Sequence, residues 1–190
     1  MKDDLEKCFE FILELEKLKN VTRKTKPLGL ERYENSAEHS WQASLLALVL
    51  VKFSDEEIDV EKVIKMLLVH DIGEIDAGDI IFFDEEARAA TKEKELESVK
   101  RIFGILPDEK GSELLEIWKE FEYGDSNEAK YARAIDRAMP VLQNIYNNRQ
   151  SWDENGIEKE QILSKTAYIG DASKLVWETM AEKIKLAFEN

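Results

Sequence analysis

Val63-Ile64-Lys65-Met66-Leu67-Leu68-Val69-His70-Asp71 is apolar almost throughout and then ends in an imidazole beside a carboxylate. The spacing predicts a helix over about Val60 to Asp71 that is buried on most sides, and such a helix needs other helices to cover it. Upstream, Asn35-Ser36-Ala37-Glu38 sets an N-cap residue three positions before a glutamate, the signature of a capping box. Trp41, Leu45, Leu46, Leu48, Val49 and Leu50 follow, with few polar residues after Ser44, so a second helix buried on several sides is expected. These two helices should form a central hairpin, with His39 in the first turn of one and His70-Asp71 at the end of the other.

Further out, Leu5, Phe9, Ile12, Leu13, Leu15 and Leu18 mark an amphipathic helix that runs into the basic segment Lys19 to Lys26, before Pro27 and Gly29. Beyond Asp71, Ile72 to Ile80 is too rich in glycine and acid for ordinary core and reads as a turn of helix and a loop. Asp84 to Phe103 is charged, with a thin apolar stripe through Ala87, Ala90, Leu96, Val99 and Phe103, which describes a surface helix. Leu114 to Phe121, Glu128 to Tyr146, Lys159 to Tyr168 and Ser173 to Phe188 complete the helices, with no internal repeat and no convincing strand. The expected fold is all-α: one compact single-domain bundle over residues 1–190, with C-terminal helices at about 158–188 packing on the rest.

A chain of 190 residues, 43% hydrophobic and without a Pro/Gly/Ser-rich linker, is long enough for one sizeable core. The net charge of -14 and a pI near 4.7 repel polyanions, so a nucleic-acid polymer is not an expected partner. Cys8 is the one cysteine, so no internal disulfide is available. The first residues lack the pattern of a signal peptide, and the longest apolar run, Leu45 to Val51, is too short to span a bilayer. A cytoplasmic protein with no membrane partner is expected.

Candidate chemistry gathers on the two histidines. His39, His70, Asp71 and Asp136, the last in the apolar helical stretch Ala132 to Met139, would supply two nitrogens and two oxygens to one divalent metal. Such mixed ligation suits Mn, Co, Fe, Ni or Zn better than Ca. Pro140 would free the carbonyl of Asp136 and kink the helix at that ligand; alternatively it separates two helices, and Asp136 merely pairs with Arg133 or Arg137. Glu74 is placed to orient or deprotonate a metal-bound water, or else is a surface acid at a helix end. Asp79, after the Gly78 turn, is a substrate contact or an N-cap. Arg23-Lys24-Thr25-Lys26, joined by Arg32, could hold a phosphate or only complement a helix dipole. Met66, Trp41, Trp118 and Trp177 are expected in the core, while Phe82 and Phe83 either line a base pocket or pack under the charged helix.

The order H, HD, D at these positions resembles the HD superfamily of metal-dependent phosphohydrolases. Glu34-Asn35-Ser36-Ala37-Glu38-His39-Ser40-Trp41, Leu67 to Asp79, and Ala134-Ile135-Asp136-Arg137 are similar to the bacterial 5′-deoxynucleotidase branch, as are Leu106-Pro107 and Glu116 to Glu122. The likeness runs from about Leu18 to Asn148. It implies metal binding by His39, His70, Asp71 and Asp136, service of the water by Glu74, and contact of Asp79 with the sugar or leaving oxygen. It further implies phosphate binding by Arg23, a homodimer, and hydrolysis of deoxynucleoside monophosphates. The characterised enzymes carry an aromatic residue after that arginine, against the ribose 2′ position; here Lys24 stands in its place, and sugar preference is left open. The expected function is a metal-dependent 5′-nucleotidase acting on a small phosphorylated substrate. Rival readings are hydrolysis of a dNTP or another small phosphate ester, a non-catalytic regulatory protein that binds metal and nucleotide, and a structural protein with two core histidines.

Overall fold

The computed structural model describes residues 1–189, and among them it contains helices, turns and one isolated bridge, Thr22 to Asn35, but no strand. Helix α1 (Lys2–Glu14) tightens into a 3-10 turn at Leu15–Asn20. The basic segment then folds back on itself. Arg23 N–H donates to the carbonyl of Glu34 (3.0 Å), Glu34 N–H to that of Thr25 (2.9 Å), and Ser36 N–H to that of Val21 (3.1 Å). This closed loop delivers the chain to α2 (Ser36–Leu50), whose capping box is formed as expected: Asn35 Oδ1 accepts from Glu38 N–H at 3.0 Å, and Glu38 Oε2 accepts from Asn35 N–H at 3.1 Å.

A 3-10 turn at Val51–Phe53 leads to α3 (Val60–Val69), capped by Asp59, and α2 and α3 pack together as the central hairpin. The chain tightens again at His70–Gly73 before the single turn of α4 (Glu74–Ala77). Then come α5 (Glu85–Phe103), α6 (Asp108–Tyr123), α7 (Asn127–Tyr146), α8 (Gln150–Glu154), α9 (Lys159–Thr166) and α10 (Lys174–Ala187). Helix α7 crosses both members of the hairpin and stays continuous through Pro140, so this proline does not separate two helices.

Two apolar clusters meet at His70. Met66 and Leu67 join Ala43, Ala47, Ile135 and Ala138 in the larger core, which also takes in Ile162, Ile169 and Ile184 of the C-terminal segments. Val69 and Ile72 instead join Phe11, Val99, Ile102 and Trp118 in a second cluster. Consecutive side chains thus turn to different cores, and the polar pair His70-Asp71 falls on the seam between them. Truncating Leu67 to alanine would remove roughly 2–5 kcal/mol, the usual range for a fully buried leucine.

Helix α2 departs from expectation. Its buried face is made of small residues, Ser40, Ala43, Ser44 and Ala47, which let its neighbours approach closely, while the large side chains point outward. Trp41, expected in the core, is 62% exposed, as is Val49, and Leu45 and Leu48 lie on the same side. Apolarity counts residues but does not tell which face a bundle will cover. Trp118 and Met66 are buried as expected, and Trp177 is half-buried.

Candidate metal centre

Three donors converge from three helices. The capping box sets the start of α2 and so fixes His39, which is fully buried; its Nε2 donates to Asp136 Oδ1 of α7 at 2.8 Å. That same oxygen lies 3.4 Å from His70 Nε2, at the end of α3. The candidate ligand atoms of His39, His70 and Asp136 all lie within 4.8 Å of one another. His70 is held from behind: its Nδ1–H donates to the Leu67 carbonyl at 2.9 Å, and its own carbonyl accepts from Trp118 Nε1 at 2.9 Å. This arrangement turns Nε2 inward, where it is buried without a hydrogen-bond partner. An imidazole fixed by its other nitrogen, with an orphaned nitrogen facing a carboxylate and a second imidazole, is the donor set of a divalent cation, so these residues fit one.

Asp71 stands beside this trio. Its Oδ1 is 3.0 Å from His70 Nε2, while Oδ2 accepts from Arg23 Nη1 at 3.2 Å. Arg23 also reaches Asp79 Oδ1 (3.2 Å) and, through Nε, Glu34 Oε1 (3.3 Å). The residues read from the basic loop and from the turn after His70 therefore meet around one guanidinium. Asp79 gets there because Gly78 adopts φ +83°, a conformation that L side chains rarely take, and this breaks α4 one residue earlier. The cap of α5 is Asp84, which accepts from Ala87 N–H, so Asp79 is not spent on that role.

Glu74 is half-buried and lines the cavity rather than standing as a surface acid. Its Oε2 accepts from Ser36 Oγ–H at 2.6 Å, which ties α4 to the start of α2. Two sequence expectations part here. Arg32 does not join the phosphate cluster; it forms a two-pronged pair with Glu38 outside the cavity, because the loop turns between it and Arg23. Lys24 lines the cavity mouth and is exposed, and Lys26 pairs with Glu154.

Burial and close charges set the protonation of the centre. Burial, aided by the Arg23 charge, pushes His39 down to about 3. Burial also opposes charge on His70, but Asp71 and Asp136 outweigh it and raise its pKa to about 9. Burial pushes Asp71 up to about 6 against the pull of His70 and Arg23. Burial and then Asp71 raise Glu74 well above the ordinary carboxylate range. Asp136 goes the other way: burial opposes its charge, yet Arg137 and the two imidazoles hold it well below its usual value. One acid kept ionised among neighbours pushed upward is the pattern of a site built to hold charge.

The centre opens into a cavity of about 350 Å³, within the range of small-molecule sites. Phe82 and Phe83 form one wall, with their rings edge to face at 5.5 Å, and α5 contributes Arg88, Lys92 and Glu95. Glu95, raised to about 7 by burial and then by Glu122, was not singled out from the sequence. Nor was the role of Glu34, whose buried carboxylate accepts from Thr25 Oγ1 (2.7 Å) and Gln143 Nε2 (2.6 Å) while facing Arg23. It lies within a quoted motif, but no spacing rule marks a carboxylate whose partners come from a distant helix.

The HD-domain family model matches residues 15–177. The 5′-deoxynucleotidase HDDC2 of Bos taurus is 30% identical over 115 residues, which are 60% of this chain and 55% of that protein. The chain thus spans little more than half the length of that relative. The protein of the same name from Dictyostelium discoideum is 29% identical over 144 residues, 73% of this chain and 76% of its own. The crystal structure of a predicted metal-dependent phosphohydrolase from Magnetospirillum magnetotacticum MS-1 superposes with a TM-score of 0.91 at 32% identity, covering 98% of this chain and 96% of the other.

Proposed function

Because the chain belongs to the HD-domain family, we propose that it is a metal-dependent phosphomonoesterase that releases phosphate from (deoxy)nucleoside monophosphates. The observation that carries this reading is the meeting of the His39, His70 and Asp136 donors at the wall of a cavity of nucleotide size that His70, Asp136 and the largely covered Arg23 line. The names of the relatives from Bos taurus and Dictyostelium discoideum support the substrate class.

On this reading His39, His70, Asp71 and Asp136 hold one divalent transition metal. When bound, that ion supplies a Lewis acid, which lowers the pKa of a water and offsets phosphoryl charge. Arg23 draws the phosphate to the point where Asp71 and Asp79 already face it, and its charge offsets what builds up on the phosphoryl oxygens. Glu74 has one oxygen engaged by Ser36, which leaves Oε1 to take the proton of the attacking water. The new P–O bond forms as the bond to the sugar oxygen breaks; Asp79 contacts that departing oxygen, which takes up a proton from solvent water while Glu74 returns the one it accepted to solvent. Lys24, exposed at the mouth, lies where it can meet the sugar or the phosphate.

The outward stripe of α2 (Trp41, Leu45, Leu48 and Val49) suits burial against a second copy, so a homodimer is part of the same reading. So is a cytoplasmic setting, consistent with Cys8 as a free thiol. No helix among the described residues is long and apolar enough to cross a membrane.

The decisive experiment measures phosphate released from paired dNMPs and NMPs by protein stripped of metal and refilled separately with Co²⁺, Mn²⁺, Mg²⁺ and Zn²⁺, with His70→Ala as control. Metal-dependent release that the variant loses supports the reading, and the ratio of the two sugars reports on Lys24. No release with any metal removes it.

A further inference from the structure

A second guanidinium enters the same cavity. Arg137 follows Asp136 on α7, and its side chain is only 14% exposed. Among the described residues its one hydrogen bond is a long one, from Nη2 to Asp136 Oδ2 at 3.4 Å, and its Nε is buried without a partner. A guanidinium carries five N–H donors, all in its plane, and leaving them buried without acceptors is costly. The other arginines nearby do not share this state. Arg133, one turn earlier, donates to the carbonyls of Phe121 and Gly124, and Arg23 faces Asp71, Asp79 and Glu34.

Arg137 is held instead by a ring. Its central carbon lies 3.6 Å from the centroid of Phe82, and Arg88 approaches the same ring at 5.0 Å. Stacking engages the face of a guanidinium and leaves its in-plane donors free. A cation fixed in orientation, beside a candidate metal ligand and with most donors unsatisfied, is prepared for an anion.

We propose that Arg137 is a second phosphate-binding residue of this site: it meets the phosphoryl oxygens from the Asp136 side while Arg23 meets them from the Asp71 side, and Phe82 is the positioning residue that holds the guanidinium by its face. This inference rests on the phosphomonoesterase reading and adds to it a two-sided clamp on the anion. The clamp also gives Phe82 a purpose distinct from lining a base pocket.

The test titrates inorganic phosphate into the full, metal-loaded protein by calorimetry, and measures KM and kcat with a dNMP, for wild type, Arg137→Gln, Arg137→Lys, Phe82→Ala and Phe82→Trp. Metal content is recorded for each. Arg137→Gln should weaken phosphate binding and raise KM about 10- to 100-fold, the scale of lost charge-assisted hydrogen bonds. Arg137→Lys should recover only part, since an ammonium neither forks nor stacks in the same way. Phe82→Ala should weaken phosphate about 3-fold, as expected for a lost cation–π contact, and Phe82→Trp should restore it. Arg137→Gln binding phosphate within twofold of wild type at full metal content overturns the proposal. Since Arg137 touches Asp136, that variant can shed metal, and Phe82→Ala then decides: weaker phosphate binding at full metal content supports the clamp, and unchanged binding overturns it. Failure of the underlying reading has a different signature, in which wild type binds phosphate but hydrolyses no phosphomonoester. A wild type that binds no phosphate overturns both.

Discussion

Burial alone would strip the proton from His70, yet Asp71 and Asp136 keep it there, with a pKa of about 9 when no cation competes. A metal needs the neutral imidazole, so cation and proton exclude each other at Nε2. Above about pH 6, where Asp71 has lost its proton, the apparent metal affinity should therefore rise about tenfold per pH unit up to about pH 9 and level off beyond it, with a proton released on binding; calorimetry in buffers of different ionisation enthalpy measures both. The same shift bears on the metal-free fold. A raised folded pKa stabilises the protein fully below about 6.5, and this contribution is lost as pH rises through about 9. Glu74 belongs at this scale too. Glu74→Gln keeps the shape and the Ser36 contact but removes the proposed proton acceptor, and should lower kcat by about 100-fold or more with metal content unchanged. An unchanged rate refutes its role. His39, His70-Asp71 and Asp136 were legible because rare imidazoles and acids interrupt apolar helices. Arg137 and Glu34 were not, because a charged residue on a mixed helix or in a loop looks the same whether or not its partners are near.

The helices follow from local rules where the signals are local. The Asn35-to-Glu38 box starts α2 where the letters place it, and Ser126 caps α7 through Ala129 N–H. The breaks at Leu15 and His70, where α-helix tightens to 3-10, follow no spacing rule, and beyond the second Ile72 joins Val69 in a different core from Met66 and Leu67. Gly78 provides the test at this scale. No atom lies within 4 Å of where a Cβ would stand, so Gly78→Ala adds backbone strain without a clash. A loss of roughly 1–3 kcal/mol in chemical denaturation is expected. Turnover should fall as well, since the turn at Gly78 sets Asp79 against Arg23.

For the molecule as a whole, the centre is pinned by α2, α3 and α7 at once, so a bound cation should couple to global stability. At a free metal concentration about 100 times its Kd, the stabilisation is roughly 2.7 kcal/mol, and removing it with a chelator should lower Tm by about 5–10 °C in scanning calorimetry. The outward stripe of α2 gives a second whole-molecule test: Trp41→Glu should convert the proposed homodimer to monomer in light scattering, and a wild type that is already monomeric would overturn the dimer. The letters by themselves determine the all-helical class, the helix starts and the kinds of donor available, because apolar period, caps and side-chain chemistry are properties of a few neighbouring residues. Which donors meet at one point was decided only by tertiary packing: His39 and Asp136 stand 97 positions apart and touch at 2.8 Å. Packing likewise chose the face of α2 to bury, the burial of Glu34 and the ring beneath Arg137, because each depends on helices that no local window contains.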